Sequence, residues 1–247
     1  MCTLSYVPIS SSSYIFTSNR DERKSRTSAF APTIHKEKGV KFLAPIDGEA
    51  LGTWLGATEQ GRVVCLLNGE FEIHIPTPPY KHSRGKVVID ALTAPIISDY
   101  LENYDFDNIE PFTLIVVENR STIELLQFVW DGSKKHFSRL DSSVSHIWSS
   151  STLYTPQQKE KRAAKFMLWL NEKSRLPKEI LQVHEAINAE GKLGLSMLRP
   201  QYCTVSCTQL EVDAMSVNMF YHDRLTQEKD QLKLPFTIIN YESQTGL

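Results

Sequence analysis

Five consecutive apolar residues, Val63-Val64-Cys65-Leu66-Leu67, end abruptly at Asn68-Gly69. A strand with no polar face has to be covered on both sides, so this run belongs in the interior of a layered sheet rather than on a solvated edge. The stretch before it, Gly52-Thr53-Trp54-Leu55-Gly56-Ala57, is rich in aromatic and apolar residues. Glu59-Gln60-Gly61 turns the chain between the two runs. Together they read as a β-hairpin around a Gly-containing turn.

The same grammar repeats along the chain. Cys2 to Val7 and Tyr14 to Thr17 form strands about the polar turn Ser10-Ser11-Ser12-Ser13. The basic segment from Arg23 to Thr33 reads as irregular, and Lys41 to Pro45 as a short strand. Pro76, Pro78 and Pro79 break regular structure between Glu70 and Lys81, which reads as a loop covering a pocket. Ser83 is placed to cap a helix whose apolar residues Val87, Val88, Ala91 and Leu92 recur at helical spacing, and Ile96 to Tyr104 follows as a second amphipathic piece. Phe112–Glu118, Ile123–Trp130 and Lys135–Leu140 make a meander, and His146 to Ser151 a strand end. Thr155-Pro156 starts a long helix over Gln157–Asn171, and Pro177–Ala189 gives another. Tyr202–Val212 and Met215–His222 close a hairpin around Asp213, and Leu234–Ile239 docks as an edge segment. Hairpins alternating with helices predict an α/β (α+β) fold with layered, mainly antiparallel sheets. At 247 residues and 41% hydrophobic the chain can bury one substantial core, with a single domain over residues 1–247 expected.

The formal net charge of −2 argues against nucleic acid or an anionic membrane as the main partner, because both require a basic face. No apolar run approaches the roughly 20 residues needed to span a bilayer, and the amino end lacks a signal-peptide pattern. The expected address is cytoplasmic, with a small molecule as partner and the oligomeric state open. Cys2, Cys65, Cys203 and Cys207 are expected as reduced thiols. Cys203-x-x-x-Cys207 lacks a second pair at zinc-site spacing, so no metal is expected.

The chemistry concentrates at the amino end. Removal of Met1 would leave Cys2 as the first residue, with a thiol and a free amine together. An α-amine titrates at roughly 7.7 to 8.0, so it can take the thiol's proton without help from a histidine. The plainer account is a small, packed cysteine. The first hairpin returns Ser18-Asn19-Arg20-Asp21-Glu22 beside residue 2, where Arg20 or Asp21 could meet the amine. Arg23, Lys24 and Arg26 are either solvated surface or an anion-gripping rim. Asn68 either shapes a turn or offers its amide to an oxyanion. His184 reads as a boundary residue of its helix rather than a ligand.

Met1-Cys2, Asn19-Arg20-Asp21-Glu22, Gly52-Thr53-Trp54-Leu55-Gly56, Asn68 and Ser83-Arg84-Gly85, in this order and spacing, resemble the NRDE family, which includes the transport-and-Golgi-organisation proteins. The likeness is strong over the first ninety or so residues, and weaker through Ser149-Ser150, the helix after Pro156, and Tyr202 to Thr208. That family in turn looks like the amino-terminal-nucleophile hydrolases of the penicillin V acylase and bile-salt hydrolase type. The resemblance implies a four-layer αββα sandwich and an amidase acting on non-peptide carbon–nitrogen bonds. By the same resemblance Cys2 is the nucleophile, Asp21 orients the amine and Asn68 serves the oxyanion hole, with Asn19, Arg20, Trp54, Arg84 and Ser150 on the substrate. Ser18 stands where those hydrolases carry arginine, Ser150 where a second asparagine is expected, Val205 within an expected Thr-Arg-Ser, and Leu51 where glycine is usual. The alternative implied by the family is a non-catalytic carrier of haem or a lipid-like ligand, with haem a carried molecule rather than a cofactor.

Overall fold

The computed structural model describes residues 3–119, 122–189 and 192–237. Two antiparallel sheets lie face to face. The first contains β1 (Thr3–Ser10), β2 (Ser13–Arg23), β10 (His146–Ser149), β11 (Tyr202–Val212), β12 (Ser216–Asp223) and β13 (Lys229–Pro235), in the spatial order β10-β1-β2-β11-β12-β13. The second contains β3 (Phe30–Glu37), β4 (Val40–Ile46), β5 (Leu55–Thr58), β6 (Arg62–Asn68), β7 (Phe112–Asn119), β8 (Ile123–Trp130) and β9 (Lys135–Leu140), ordered as they occur in the chain. Helices α1 (Arg84–Thr93) and α2 (Ile97–Asn103) cover the outer face of the second sheet, and α3 (Pro156–Asn171) and α4 (Pro177–Glu185) that of the first. The layering is αββα.

The alternation of side chains in β6 builds this arrangement. Val63, Cys65 and Leu67 enter the core between the sheets with Leu4, Phe16 and Leu210. Val64 and Leu66 point the other way, against Val88, Ala91 and Leu92 of α1. Each such fully buried side chain contributes about 1.5–3 kcal/mol through apolar area removed from water. A third cluster, Val7 and Ile15 under Phe166, Leu170, Ile180 and Val183, fastens α3 and α4. Helix α3 begins with a capping box: Thr155 accepts from the Gln158 backbone, Gln158 reaches back to the Thr155 N–H, and Pro156 occupies the first turn.

Register decides what meets at the amino end. Thr3 lies opposite Asn19 of β2 on one side and Ser149 of β10 on the other. Between β2 and β11 the register shifts across Thr204 and Ser206, so Asp21 pairs with Thr204 and Arg20 with Ser206. A bulge of this kind re-aims side chains locally.

Several boundaries differ from the sequence reading. The segment expected to be irregular from Arg23 is strand to Arg23 and strand again from Phe30. Helix α4 ends at Glu185 rather than Ala189, and Ser83 precedes α1 without a side-chain capping bond. The edge segment starts at Lys229, earlier than expected, and the expected segment from Leu234 to Ile239 runs past the described residues. Cys65, Cys203 and Cys207 are free thiols. Among the described residues no helix is long and apolar enough to cross a membrane.

Candidate functional site

Asp21, near the end of β2, and Asn68, the last residue of β6, come from different sheets and wall one cavity of about 580 Å³. Its other walls come from Arg26 after β2, His74 of the Pro-rich loop, Arg84 at the start of α1, Glu110 before β7, Thr152 before α3 and Tyr202 at the start of β11. Asn68 and Arg84 also line an adjoining chamber of about 150 Å³ with Arg20 and Trp54. A larger groove of about 820 Å³ lies at the far end of the first sheet, around the β1–β2 turn and the α3–α4 loop, and contains none of the expected site residues.

Asp21 is buried, and its Oδ1 accepts a 2.5 Å hydrogen bond from Thr204 Oγ1. That hydroxyl also accepts from the Met197 N–H at 2.7 Å, so β11 fixes the carboxylate from beneath. Asn68 is half-buried; among the described residues its side-chain amide makes no hydrogen bond, while its backbone carbonyl accepts from Ser150 Oγ at 2.5 Å. Ser150 is further held by Thr152 Oγ1 at 2.8 Å. The serine expected to contact substrate is largely buried and donates to the backbone of Asn68; it is absent from the lining of the 580 Å³ cavity but lines a neighbouring one of about 350 Å³ with Leu67, Phe71 and Trp148.

Asn19 requires a second correction. Its Nδ2 donates to the His184 carbonyl at 2.8 Å and its Oδ1 lies 3.1 Å from His184 Nδ1. His184 Nε2 is 2.8 Å from Ser5 Oγ. With Oδ1 as acceptor, His184 carries its proton on Nδ1 and accepts from Ser5 at Nε2. Asn19 therefore ties β2 to α4 and is not a substrate contact. His184, expected at a boundary, is completely buried, and desolvation first, then the nearby Arg162 charge, pulls its pKa down to about 3.

Arg20 forms an ion pair with Asp47 and lies over the Trp54 ring, 4.7 Å from its centroid. Arg26 makes a fork to the same carboxylate, 3.1 Å from Nε to Oδ2 and 2.8 Å from Nη2 to Oδ1. Asp47 also accepts the Glu49 and Ala50 N–H groups. Burial works to raise its pKa, but the Arg26 and Ala50 hydrogen bonds and the two arginine charges prevail and hold it at about 2. Of the basic residues at and after the end of β2, Arg26 thus belongs to a structural clamp, whereas Arg23 stays exposed with Nε 3.3 Å from the Tyr202 hydroxyl. Arg84 pairs with Glu110 at 2.9 Å and donates to the Pro111 carbonyl at 3.1 Å. Glu110 also meets His74 Nε2 at 3.1 Å.

The structure thus brings together Asp21, Asn68, Arg20, Trp54 and Arg84, commits the Asn19 side chain to α4, and places Ser150 against the Asn68 backbone at the edge of a neighbouring cavity; Cys2 lies outside the described residues. Sequence reasoning missed Asp47, Thr204, His74 and Glu110. Asp47-Gly48 is a turn signal, but nothing local announces its two arginine partners. Among the described residues no group of three His, Cys, Asp or Glu side chains is disposed to hold a metal ion.

The family model described as Transport and Golgi organisation 2 matches residues 1–220. Solved structures share the fold. Penicillin V acylase from Agrobacterium tumefaciens superposes with a TM-score of 0.59 at 12% identity, over 95% of this chain and 86% of that one. The Caenorhabditis elegans orthologue of N-acylethanolamine-hydrolyzing acid amidase gives 0.58 at 13%, over 85% and 92%. The C2A mutant of conjugated bile acid hydrolase from Clostridium perfringens gives 0.54 at 9%, over 97% of both chains. No curated protein matches the sequence significantly.

Proposed function

Since the chain belongs to the Transport and Golgi organisation 2 family, we propose that it is a cysteine amino-terminal-nucleophile amidohydrolase that cleaves a non-peptide carbon–nitrogen bond in a small acyl amide. The observation that carries this reading is the convergence of Asp21 and Asn68, from two sheets, on one cavity at the end of the sandwich where β1 begins. The fold is shared with proteins named as an amidase, a hydrolase and an acylase. Those names supply the chemistry proposed here.

In this mechanism Met1 is removed and the Cys2 amine takes the thiol proton. The thiolate attacks the acyl carbon, and the carbonyl π electrons move onto oxygen. The Asn68 amide and a backbone N–H receive that oxyanion, while Asp21 holds the ammonium. The amine then returns its proton to the leaving nitrogen as the carbon–nitrogen bond breaks. Water cleaves the resulting thioester, giving the free acid and restoring the thiol.

One observation favours a second reading, a carrier for haem or a lipid-like ligand on the same scaffold. Ser150 is committed to the Asn68 carbonyl, which leaves the oxyanion without a donor from that position. Absence of one donor typically costs about 10² to 10³ in rate.

The deciding experiment joins intact mass with turnover of a chromogenic acyl amide. Loss of Met1 together with hydrolysis that Cys2→Ala abolishes supports the hydrolase. Retained Met1 overturns it. A Soret shift on haemin titration, absent in Cys2→Ala, with no turnover, supports the carrier.

A further inference from the structure

Charges around the 580 Å³ cavity are matched along part of its wall only. Glu22 and Glu49 lie 3.8 and 3.3 Å from Arg26, which also pairs with Asp47. Glu110 takes Arg84 and His74, and Asp21 is buried against the Thr204 hydroxyl. The part of the wall made by Arg23, Leu153 and Tyr202 is different. Among the described residues Arg23 has no carboxylate at ion-pair distance, and its Nε donates to the neutral Tyr202 hydroxyl at 3.3 Å.

Arg199 repeats the pattern. Its Nη2 donates to the Leu153 carbonyl at 3.1 Å, and its guanidinium lies over the Tyr154 ring, 5.4 Å from the centroid. Lys24 is exposed like both arginines and, among the described residues, pairs with no carboxylate. Backbone pairing holds these cations together. Arg23 and Tyr202 are cross-strand partners, the Lys24 N–H donates to the Gln201 carbonyl, and the Arg199 N–H donates to the Tyr202 carbonyl at 2.8 Å. The short connection from Arg199 to Tyr202 therefore brings Arg199 alongside Arg23 and Lys24.

An arginine paired with a carboxylate is neutralised where it stands. One held by a hydroxyl, a carbonyl or an aromatic ring is fixed in direction and keeps its charge for an incoming anion. In a chain with a formal net charge of −2, such a group of cations at one cavity rim is a local reversal of sign.

We infer that Arg23, Lys24 and Arg199 form an anion-binding rim, and that the ligand of this cavity carries a carboxylate or phosphate on the part that stays at the mouth. A planar guanidinium meets either group with two parallel N–H donors, and among the described residues only the Nε of Arg23 is engaged. That the anion is attached to a scissile amide, on its amine side, rests on the amidohydrolase reading; the affinity of the rim for the anion does not.

The test uses the full chain carrying Cys2→Ala, so that affinity is read without turnover, and amides of one acyl group: N-hexanoyl-β-alanine, N-hexanoyl-O-phosphoethanolamine and the neutral N-hexanoylpropylamine. By calorimetry the better of the two anionic amides should bind about tenfold or more tightly than the neutral one, a difference that shrinks as salt is raised. Arg23→Gln combined with Arg199→Gln should remove the preference, whereas Arg175→Gln, at an exposed arginine of the far groove, should keep it. Which anionic amide binds better separates carboxylate from phosphate. The second measurement is phenylglyoxal labelling of the wild type, located by mass. Arg23 and Arg199 should react before Arg20 and Arg26, and inorganic phosphate or acetate should slow them. Such protection without binding of any amide keeps the anion site and removes the amide reading. Equal affinity for charged and neutral amides, or a preference that survives the double variant, overturns the inference, as does labelling of Arg23 and Arg199 that neither anion slows.

Discussion

Ser150 Oγ donates to the backbone carbonyl of Asn68 across 2.5 Å, tying the chain before α3 to the last residue of β6. With its one proton given to Asn68, this hydroxyl accepts from Thr152, so the bond helps set the direction of the Asn68 peptide. Ser150→Ala removes the hydrogen-bond donor from this half-buried carbonyl at the cavity wall, which typically costs about 1 kcal/mol. Under the proposed hydrolase the same change should lower kcat about tenfold with little effect on KM, because the asparagine amide acts on the oxyanion and not on the resting amide. Steady-state kinetics beside a urea melt separate the two effects.

Gly52 packs directly on Gly85, where the loop before β5 crosses the first turn of α1. A Cβ on Gly52 would stand 2.7 Å from the Gly85 carbonyl carbon and 2.8 Å from its Cα, both backbone atoms. Neither can swing aside as a side-chain tip could. Gly52→Ala should therefore destabilise by about 1–3 kcal/mol, the usual range for overpacking, and displace Arg84 from the cavity wall. Gly85→Ala meets its nearest atoms at 3.1 Å and should be milder. Denaturant midpoints of the two variants rank them.

What the sequence made legible follows from where the information is local. β6 announces itself because both of its faces are apolar, and both are buried, one against the opposite sheet and one against α1. β3 passes unseen because its one apolar alternation, Phe30, Pro32 and Ile34, is short and centred on a proline, and as an edge strand it buries Pro32 alone. A proline also argues against a strand from sequence, although an edge is where a strand tolerates one. Asp21 and Asn68 were legible as positions in a pattern. The tasks of Asn19 and Ser150 were not, since their partners lie 165 and 82 residues away along the chain. Polar side chains of one type look alike in sequence whether they face a cavity or a buried backbone group.

Asp47 holds Arg20 and Arg26 together at the edge of the cavity, and its folded pKa of about 2 lies below the ordinary value of 3.8. A carboxyl depressed on folding contributes stability that is complete above its unfolded pKa and is lost as pH falls through the folded one. The window is therefore about pH 4 down to about 2, and the amount, allowing for solvent screening, about 1–2 kcal/mol. Asp47→Asn should remove this part of the acid transition. It should also release Arg20 from its place over Trp54, visible as a change in tryptophan emission at neutral pH.

His184 gives the opposite kind of residue the same sign of pH dependence. It is buried and neutral, with a folded pKa of about 3 caused first by desolvation and then by the Arg162 charge, against an ordinary value of 6.5. Below pH 6.5 the unfolded chain takes up a proton that the folded chain refuses, so the contribution is complete above 6.5 and declines as pH falls toward 3. Each unit of difference corresponds to about 1.4 kcal/mol, so this histidine should dominate the stability slope between about pH 6.5 and 4, above the window of Asp47. His184→Gln removes the titration but leaves a side chain able to donate and accept toward Asn19 and Ser5. Its urea midpoint should lie below that of wild type at about pH 7.5 and converge with it as pH drops to about 4.5. Parallel profiles for the two proteins across that range would mean that His184 does not remain neutral in the folded chain.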